Sequence, residues 1–254
     1  MDPATIIGIV VAFGAIIGVN VMEGGNPAAL IVPPALVLIF VTTPLVAIAG
    51  GTLADAKTAG SSLARAFTGK VKPAGDLVPV MVGLAERARK EGLLALQDQV
   101  GSIDDEFLKA GITMAIDGTD PEELRDILES QVYSKQQADK QAAKFFADMG
   151  AYAPTIGIIG TVMGLVHVLE NLSTPDKLGH LIAGAFIATL WGVMSANVIF
   201  LPLGNRLKRL GQLEAERMEL TIEGISAIQA GSNPRAVAQK LRALLGPGEQ
   251  AEAA

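Results

Sequence analysis

Apolar residues in this chain gather into four long stretches that charged residues avoid. No charged residue stands between Glu23 and Asp55. Between Asp148 and Glu170 only His167 can take a charge near neutral pH, and between Lys177 and Arg206 only His180 can. A bilayer crossing takes about 20 apolar residues in a helix, and the pattern predicts spans at residues 4–22, 28–49, 149–169 and 181–203. The first does not read as a cleavable signal peptide, because no basic residue precedes it and a second span follows almost at once. Only residues 23–27 separate the first two spans and only 170–180 the last two, so both pairs are expected to be helical hairpins. The segments 50–148 and 204–254 then share one side of the membrane with the N-terminus. Of the 20 Lys and Arg, 19 lie in those segments, the exception being Lys177. Basic residues favour the cytoplasmic side, which predicts a multi-pass inner-membrane protein with both termini in the cytoplasm. The expected fold is all-α, with four transmembrane helices: a first hairpin (1–49), a helical cytoplasmic domain (50–148), a second hairpin (149–203) and a C-terminal helical tail (204–254).

The cytoplasmic segments carry helical periodicity. Residues 77–99 place Val80, Leu84, Ala88, Leu94 and Ala95 near helical spacing, and residues 103–116 repeat the pattern with Phe107, Leu108, Ile112 and Ala115. Asp120-Pro121-Glu122-Glu123 is a helix start: Asp as cap, Pro in the first position and acids in the first turn. No breaker follows before Met149, so this helix is expected to run on into the third span. Asn233-Pro234 opens a last short helix that ends at Gly246-Pro247, and the small polar residues beyond are expected to fray.

Composition narrows the function. Half the residues are hydrophobic and 18% are charged, against about 25% in soluble proteins; that excludes a soluble enzyme and a disordered protein. The absence of Cys excludes a disulfide scaffold, thiol catalysis and Cys-ligated metal. No metal site and no cofactor are expected. A net charge of -6 and the lack of a basic cluster argue against a nucleic-acid partner.

No Asp, Glu, Lys or Arg lies inside any predicted span. Intramembrane carboxylates are the usual ion and proton sites, so this chain either transports nothing or needs a partner to bring the carboxylate. Gly14 and Gly18, and Gly160 and Gly164, form small-xxx-small pairs that let helix backbones approach; they read as packing faces or as faces around a partner helix. Pro154 and Pro202 each free a carbonyl one turn earlier, near the cytoplasmic end of their spans. Pro33, Pro34 and Pro44 read as kinks in the second span. Thr161 and Thr189 are the deep polar groups of the last two spans. Each hydroxyl either bonds the carbonyl four residues back, Gly157 or Ala185, or replaces part of a cation's hydration shell, since hard cations prefer oxygen. His167 reads as a helix-end polar residue.

Several stretches, in order along the chain, resemble the A subunit of the bacterial flagellar stator, the MotA/PomA family. They are Met1-Asp2-Pro3-Ala4-Thr5-Ile6-Ile7-Gly8, Ala88-Arg89-Lys90-Glu91-Gly92-Leu93-Leu94-Ala95-Leu96, Ala153-Pro154-Thr155-Ile156-Gly157-Ile158-Ile159-Gly160-Thr161, and Leu201-Pro202 followed by Asn205-Arg206-Leu207-Lys208. Glu223-Gly224-Ile225 and Asn233-Pro234-Arg235 resemble the tail. The resemblance implies a pentameric ring around a dimer of single-span B subunits (MotB/PomB type), whose helix supplies the ion-binding aspartate. It implies that ion flow turns the ring against a rotor switch-complex protein, that the setting is membrane lipid, and that the chain is not an enzyme. By resemblance Pro154 and Pro202 are the family's membrane prolines, while Arg89 and Lys90 match its basic rotor-contact positions. Its key acid falls on Gln97, an amide, and Asp98 matches a neighbouring acid; the alternative for all of these is a solvated helix face. A Thr at position 161 resembles sodium-driven members, and the Thr at 189 occurs in sodium- and proton-driven ones, so the resemblance implies Na+ ahead of H+. Two other readings stand beside it: a TolQ/ExbB-like proton-channel subunit energising the envelope, and a passive membrane scaffold.

Overall fold

The computed structural model describes residues 4–246. The motif at Met1-Asp2-Pro3, the expected stop at Pro247 and the tail expected to fray lie outside the described residues. Every element described is helical. The chain divides into two compact units, Met1–Lys70 with Ala138–Arg209 and Val71–Gln137 with Leu210–Ala254.

The first unit opens with α1 (Ala4–Met22), which buries no residue against its neighbours. The second apolar stretch is not one helix from residue 28. Pro27–Leu30 makes a 3-10 turn, Val32 is extended (φ -109°, ψ 103°), and α2 runs from Pro33 to Ala49. A residue before proline is pushed out of the helical region, and proline suits a helix's first turn. Pro33 and Pro34 therefore start α2 rather than kink it; only Pro44 lies in its interior. At 17 residues α2 spans about 26 Å. The stretches Ala4–Met22, Pro121–Glu170 and Pro175–Gln229 are long and apolar enough to cross a membrane, whereas α2 is a shorter apolar helix.

After Gly50 the chain enters α3 (Leu53–Thr68), a helix the apolar pattern does not announce. Its start is a capping box: Thr52 Oγ1 accepts from the Asp55 amide, and the Asp55 carboxylate accepts from the Thr52 amide at 2.9 Å. Its buried face is alanine, Ala59 and Ala66. Arg65 on this helix pairs through both guanidinium nitrogens with Asp139, a nearly buried carboxylate.

The second unit is built around Leu77, Met81, Leu108, Ile112, Leu124, Leu128, Ile225 and Leu241. Residues 77–99 do not form one helix. α4 (Leu77–Glu91) stops at Gly92, whose φ of 86° is glycine's territory; a 3-10 turn (Leu93–Leu96) and the single helical turn α5 (Gln97–Val100) follow. Of the expected apolar positions Leu84 is buried, but Val80 and Leu94 are 44% and 71% exposed. α6 (Glu106–Ile116) begins where Asp105 accepts from the amides of Phe107 and Leu108, three residues later than the periodicity began. Arg217 closes this region by donating to Asp105 and to the Pro73 carbonyl.

Asp120 caps the next helix as expected, accepting from Glu122 N at 2.9 Å. That helix, α7 (Pro121–Glu170), runs unbroken for 50 residues. The connection to α8 is only residues 171–174, because α8 (Pro175–Ser195) starts at Pro175 and takes His180 into the helix. It does not end at residue 203 either. A π-helical turn (Ala196–Phe200) leads directly into α9 (Leu201–Gln229). α10 (Pro234–Leu244) starts where Asn233 caps the Arg235 amide and buries Val237 and Leu241.

Candidate functional site

Glycine places α7 and α8 in backbone contact. A Cβ on Gly157 would stand 2.9 Å from Ala188 O and 3.1 Å from Thr189 Cα; one on Gly192 would stand 2.6 Å from Ala153 O. The pair Gly160 and Gly164 continues the seam, meeting Ala188 and Ala185. Gly14 and Gly18 on α1 face open space, with nothing within 4 Å of a Cβ. Small residues at a crossing let two backbones approach where no larger side chain would.

That approach assembles four oxygens. Thr161 Oγ1 lies 3.2 Å from Gly157 O on its own helix and 2.9 Å from Ala185 O on α8, and it contacts the Thr189 hydroxyl. Thr189 Oγ1 lies 3.3 Å from Gly157 O. The Thr161 back-bond expected from sequence is therefore present. The one expected for Thr189 is not: Ala185 O is taken by Thr161, and Thr189 reaches across to α7 instead. Two hydroxyl protons are shared among the hydroxyl–hydroxyl contact and three contacts to the Gly157 and Ala185 carbonyls, so oxygen lone pairs outnumber donors in the group. Its remaining lone pairs are concentrated at one half-buried point, in a stretch with no Asp, Glu, Lys or Arg. An oxygen set of this kind can take over part of a hard cation's hydration shell.

The two prolines behave differently. Pro154 lies inside α7, which stays helical through it. Ahead of Pro202 the helix widens into the π-helical turn, with Leu201 N–H donating to Ala196 O five residues back. A proline cannot donate to the carbonyl four residues earlier, and a register shift of one residue is a way around it. His167 is exposed near the end of α7 and pairs with Glu170 at 3.2 Å, a helix-end arrangement. Trp191 on α8 donates to Leu30 O at 2.7 Å and packs against Phe13 and Phe40.

The charged positions lie in the second unit. Arg89, Lys90, Gln97 and Asp98 are all exposed. Arg89 and Lys90 make no ion pair among the described residues. Asp98 does: Arg87, not singled out by sequence, donates to it at 3.4 Å and to Glu91 at 3.3 Å. The acid is thus partly neutralised by its own chain, while the two basic groups stay available. Elsewhere in this unit Glu223 accepts from Lys240 at 2.6 Å and from Arg125. The Lys240 ammonium holds the Glu223 carboxyl below the usual carboxylate range, against the opposing pull of partial burial. No cluster of metal-ligating side chains forms among the described residues.

Residues 99–220 match the MotA/TolQ/ExbB proton channel family. Over 95% of its length the chain is 35% identical to motility protein A of Bacillus subtilis, covering 90% of that protein. It is 34% identical to motility protein A of Helicobacter pylori over 98% of this chain and 97% of that one. The solved structure of C. jejuni MotAB superposes with a TM-score of 0.92 at 32% identity, over 97% of both chains.

Proposed function

The chain belongs to the motility protein A family, and from that membership we propose that it is the A subunit of a flagellar stator, which joins a single-span B subunit to convert cation flow into rotation of the rotor. The family is one of proton channels rather than of enzymes. The observation that carries the reading is the oxygen group of Thr161, Thr189, Gly157 and Ala185 in a stretch without any carboxylate. It can help to bind a cation but cannot replace a full hydration shell, so the ion-binding aspartate comes from the B helix. The name MotAB of the solved C. jejuni relative supports such a partner.

In this reading residues 4–22, 28–49, 149–169 and 181–203 are four membrane spans, five copies surround the B helices, and 50–148 with 204–254 face the cytoplasm. α2 by itself is short for a crossing of about 30 Å, and the 3-10 turn at Pro27–Leu30 completes the span. Pro154 and Pro202 shape the cytoplasmic mouths. Arg89 and Lys90 meet the rotor as exposed, unpaired cations, and Asp98 contributes less because Arg87 holds it.

Sodium is the transported ion on this proposal. A sodium ion needs several oxygens at once, a partner carboxylate supplies at most two, and the two hydroxyls supply more. A proton is the second reading, favoured by the description of the matched family. Swimming speed at fixed pH, with sodium replaced by potassium, separates them: sodium dependence that Thr161→Ala weakens supports the first, and sodium-independent swimming overturns it. Deleting the chain tests the role itself. Flagella present but paralysed support a stator; unimpaired motility would point to an envelope energiser or a passive scaffold.

A further inference from the structure

Asn197 is a polar residue that neither the threonine pair nor the charged surface accounts for. It is exposed, although it lies in the apolar run that contains no charge. Its Nδ2 donates to Val193 O at 2.8 Å, and its Oδ1 has no hydrogen-bond partner among the described residues. The main chain adds a second oxygen at the same place. Leu201 N–H is committed to Ala196 O. In that π register the amide due to Asn197 O belongs to Pro202, which has no N–H. By this register Asn197 presents both its main-chain and its side-chain carbonyl without a donor among the described residues. Unmet carbonyls facing lipid are costly, and π turns recur at functional positions.

The placement along the helix is equally specific. Thr189, Val193 and Asn197 succeed one another at intervals of four, which brings them to one side of α8 and the π-helical turn that continues it. Eight residues at 1.5 Å each put Asn197 about 12 Å beyond Thr189, towards Pro202. We infer that Asn197 is a second oxygen station of the ion path, receiving a partly hydrated monovalent cation on the cytoplasmic side of the threonine pair. This rests on the stator reading above. A cation leaving one site needs another weak site within reach if it is to move on, and the two carbonyls at Asn197 provide it.

The test measures sodium uptake, and proton uptake with a pH-sensitive dye, in liposomes holding the full chain with its B partner. The variants are Asn197→Leu, Asn197→Ala and Asn197→Thr. Leu keeps the branched outline of Asn in a larger, oxygen-free side chain, Ala removes the oxygen in a smaller one, and Thr keeps an oxygen at about the volume of Asn. The expected result is a fall in flux of about tenfold in the Leu and Ala variants, roughly 1.4 kcal/mol in a barrier, with Thr nearer wild type and co-purification of the partner unchanged. Flux that follows side-chain volume rather than the oxygen, or that is the same in all variants, overturns the inference. If the Leu variant fails to assemble, the comparison of Ala with Thr decides. A wild-type complex that carries no cation would overturn the stator reading; a conducting wild type with an equally conducting Asn197→Ala overturns only this step.

Discussion

The interiors of the two units differ in the size of the residues that make their closest contacts. In the first, small residues make the closest contacts, Gly157 against Gly192, Gly164 against Ala185 and alanines along α3 and α7, with Phe146, Met149, Phe200, Leu203 and Leu207 packed among the alanines. In the second, the core is large and aliphatic, from Leu77 and Met81 to Ile225 and Leu241. Water drives aliphatic burial, whereas lipid tails are as apolar as leucine and leave close backbone packing as the means of association. Charge divides the same way. The first unit has nine Lys and Arg against seven Asp and Glu, and the second has eleven against nineteen. A basic excess next to apolar spans is what the positive-inside rule expects. The interior of each unit is therefore a record of its solvent, and the same substitution should act differently in the two.

The largest effect is expected where backbones touch. Gly157→Val sets side-chain atoms against Ala188 O and the Thr189 backbone. Overpacking of this kind costs about 1–3 kcal/mol, and it also pulls the four oxygens apart. The expected outcome is loss of swimming with the chain still expressed; unchanged motility would mean that the α7–α8 seam is looser than the glycines imply. In the second unit the matched change is Met81→Ala, a core truncation costing about 2–5 kcal/mol. It should lower protein level and thermal stability, and leave sodium dependence as it was in whatever swims.

Next comes Arg89→Glu. Reversing a charge at an interface costs a few kcal/mol, so swimming should fail although the complex assembles. Gln97→Ala, an exposed amide, should stay within about half a kcal/mol. Arg87→Ala sharpens the contrast by freeing Asp98; rotor contact through that acid predicts faster or restored swimming in an Arg89-weakened background, measured by tethered-cell rotation.

Much of this was legible in the sequence, for reasons that differ by residue. The apolar runs, the Asp120 cap, the unbroken α7 and the Asn233 cap are local signals, and local signals survive in a string of letters. α3 was missed because its buried face is alanine, and its only announcement was Thr52 three residues before Asp55. The break at Gly92 was readable as a C-terminal glycine, but the apolar spacing of Leu94 and Ala95 masked it. The partner exchange of Thr189, from Ala185 on its own helix to Gly157 on the neighbour, depends on a helix crossing that no periodicity encodes. The π turn follows from Pro202 only once the amide of Leu201 has been traced to Ala196.

The smallest effect concerns pH in the second unit. Glu223 has a carboxyl lowered from the usual 4.5 by Lys240. A depressed acid contributes stability that is complete above its unfolded value and is lost as pH falls through the folded one. The full chain should thus resist proteolysis of its second unit equally at neutral and mildly acid pH, then weaken below about 4.5. Glu223→Gln should flatten that decline at a cost of at most about 1 kcal/mol, as for exposed pairs.

On the proposed stator function, this chain supplies oxygens to the ion path and the partner supplies the charge that completes it. Cation flux into liposomes, measured with the chain alone and then with its B partner, tests it directly. No flux above empty vesicles is expected for the chain alone and clear flux for the pair; a robust cation current from the pure chain would overturn this division of roles.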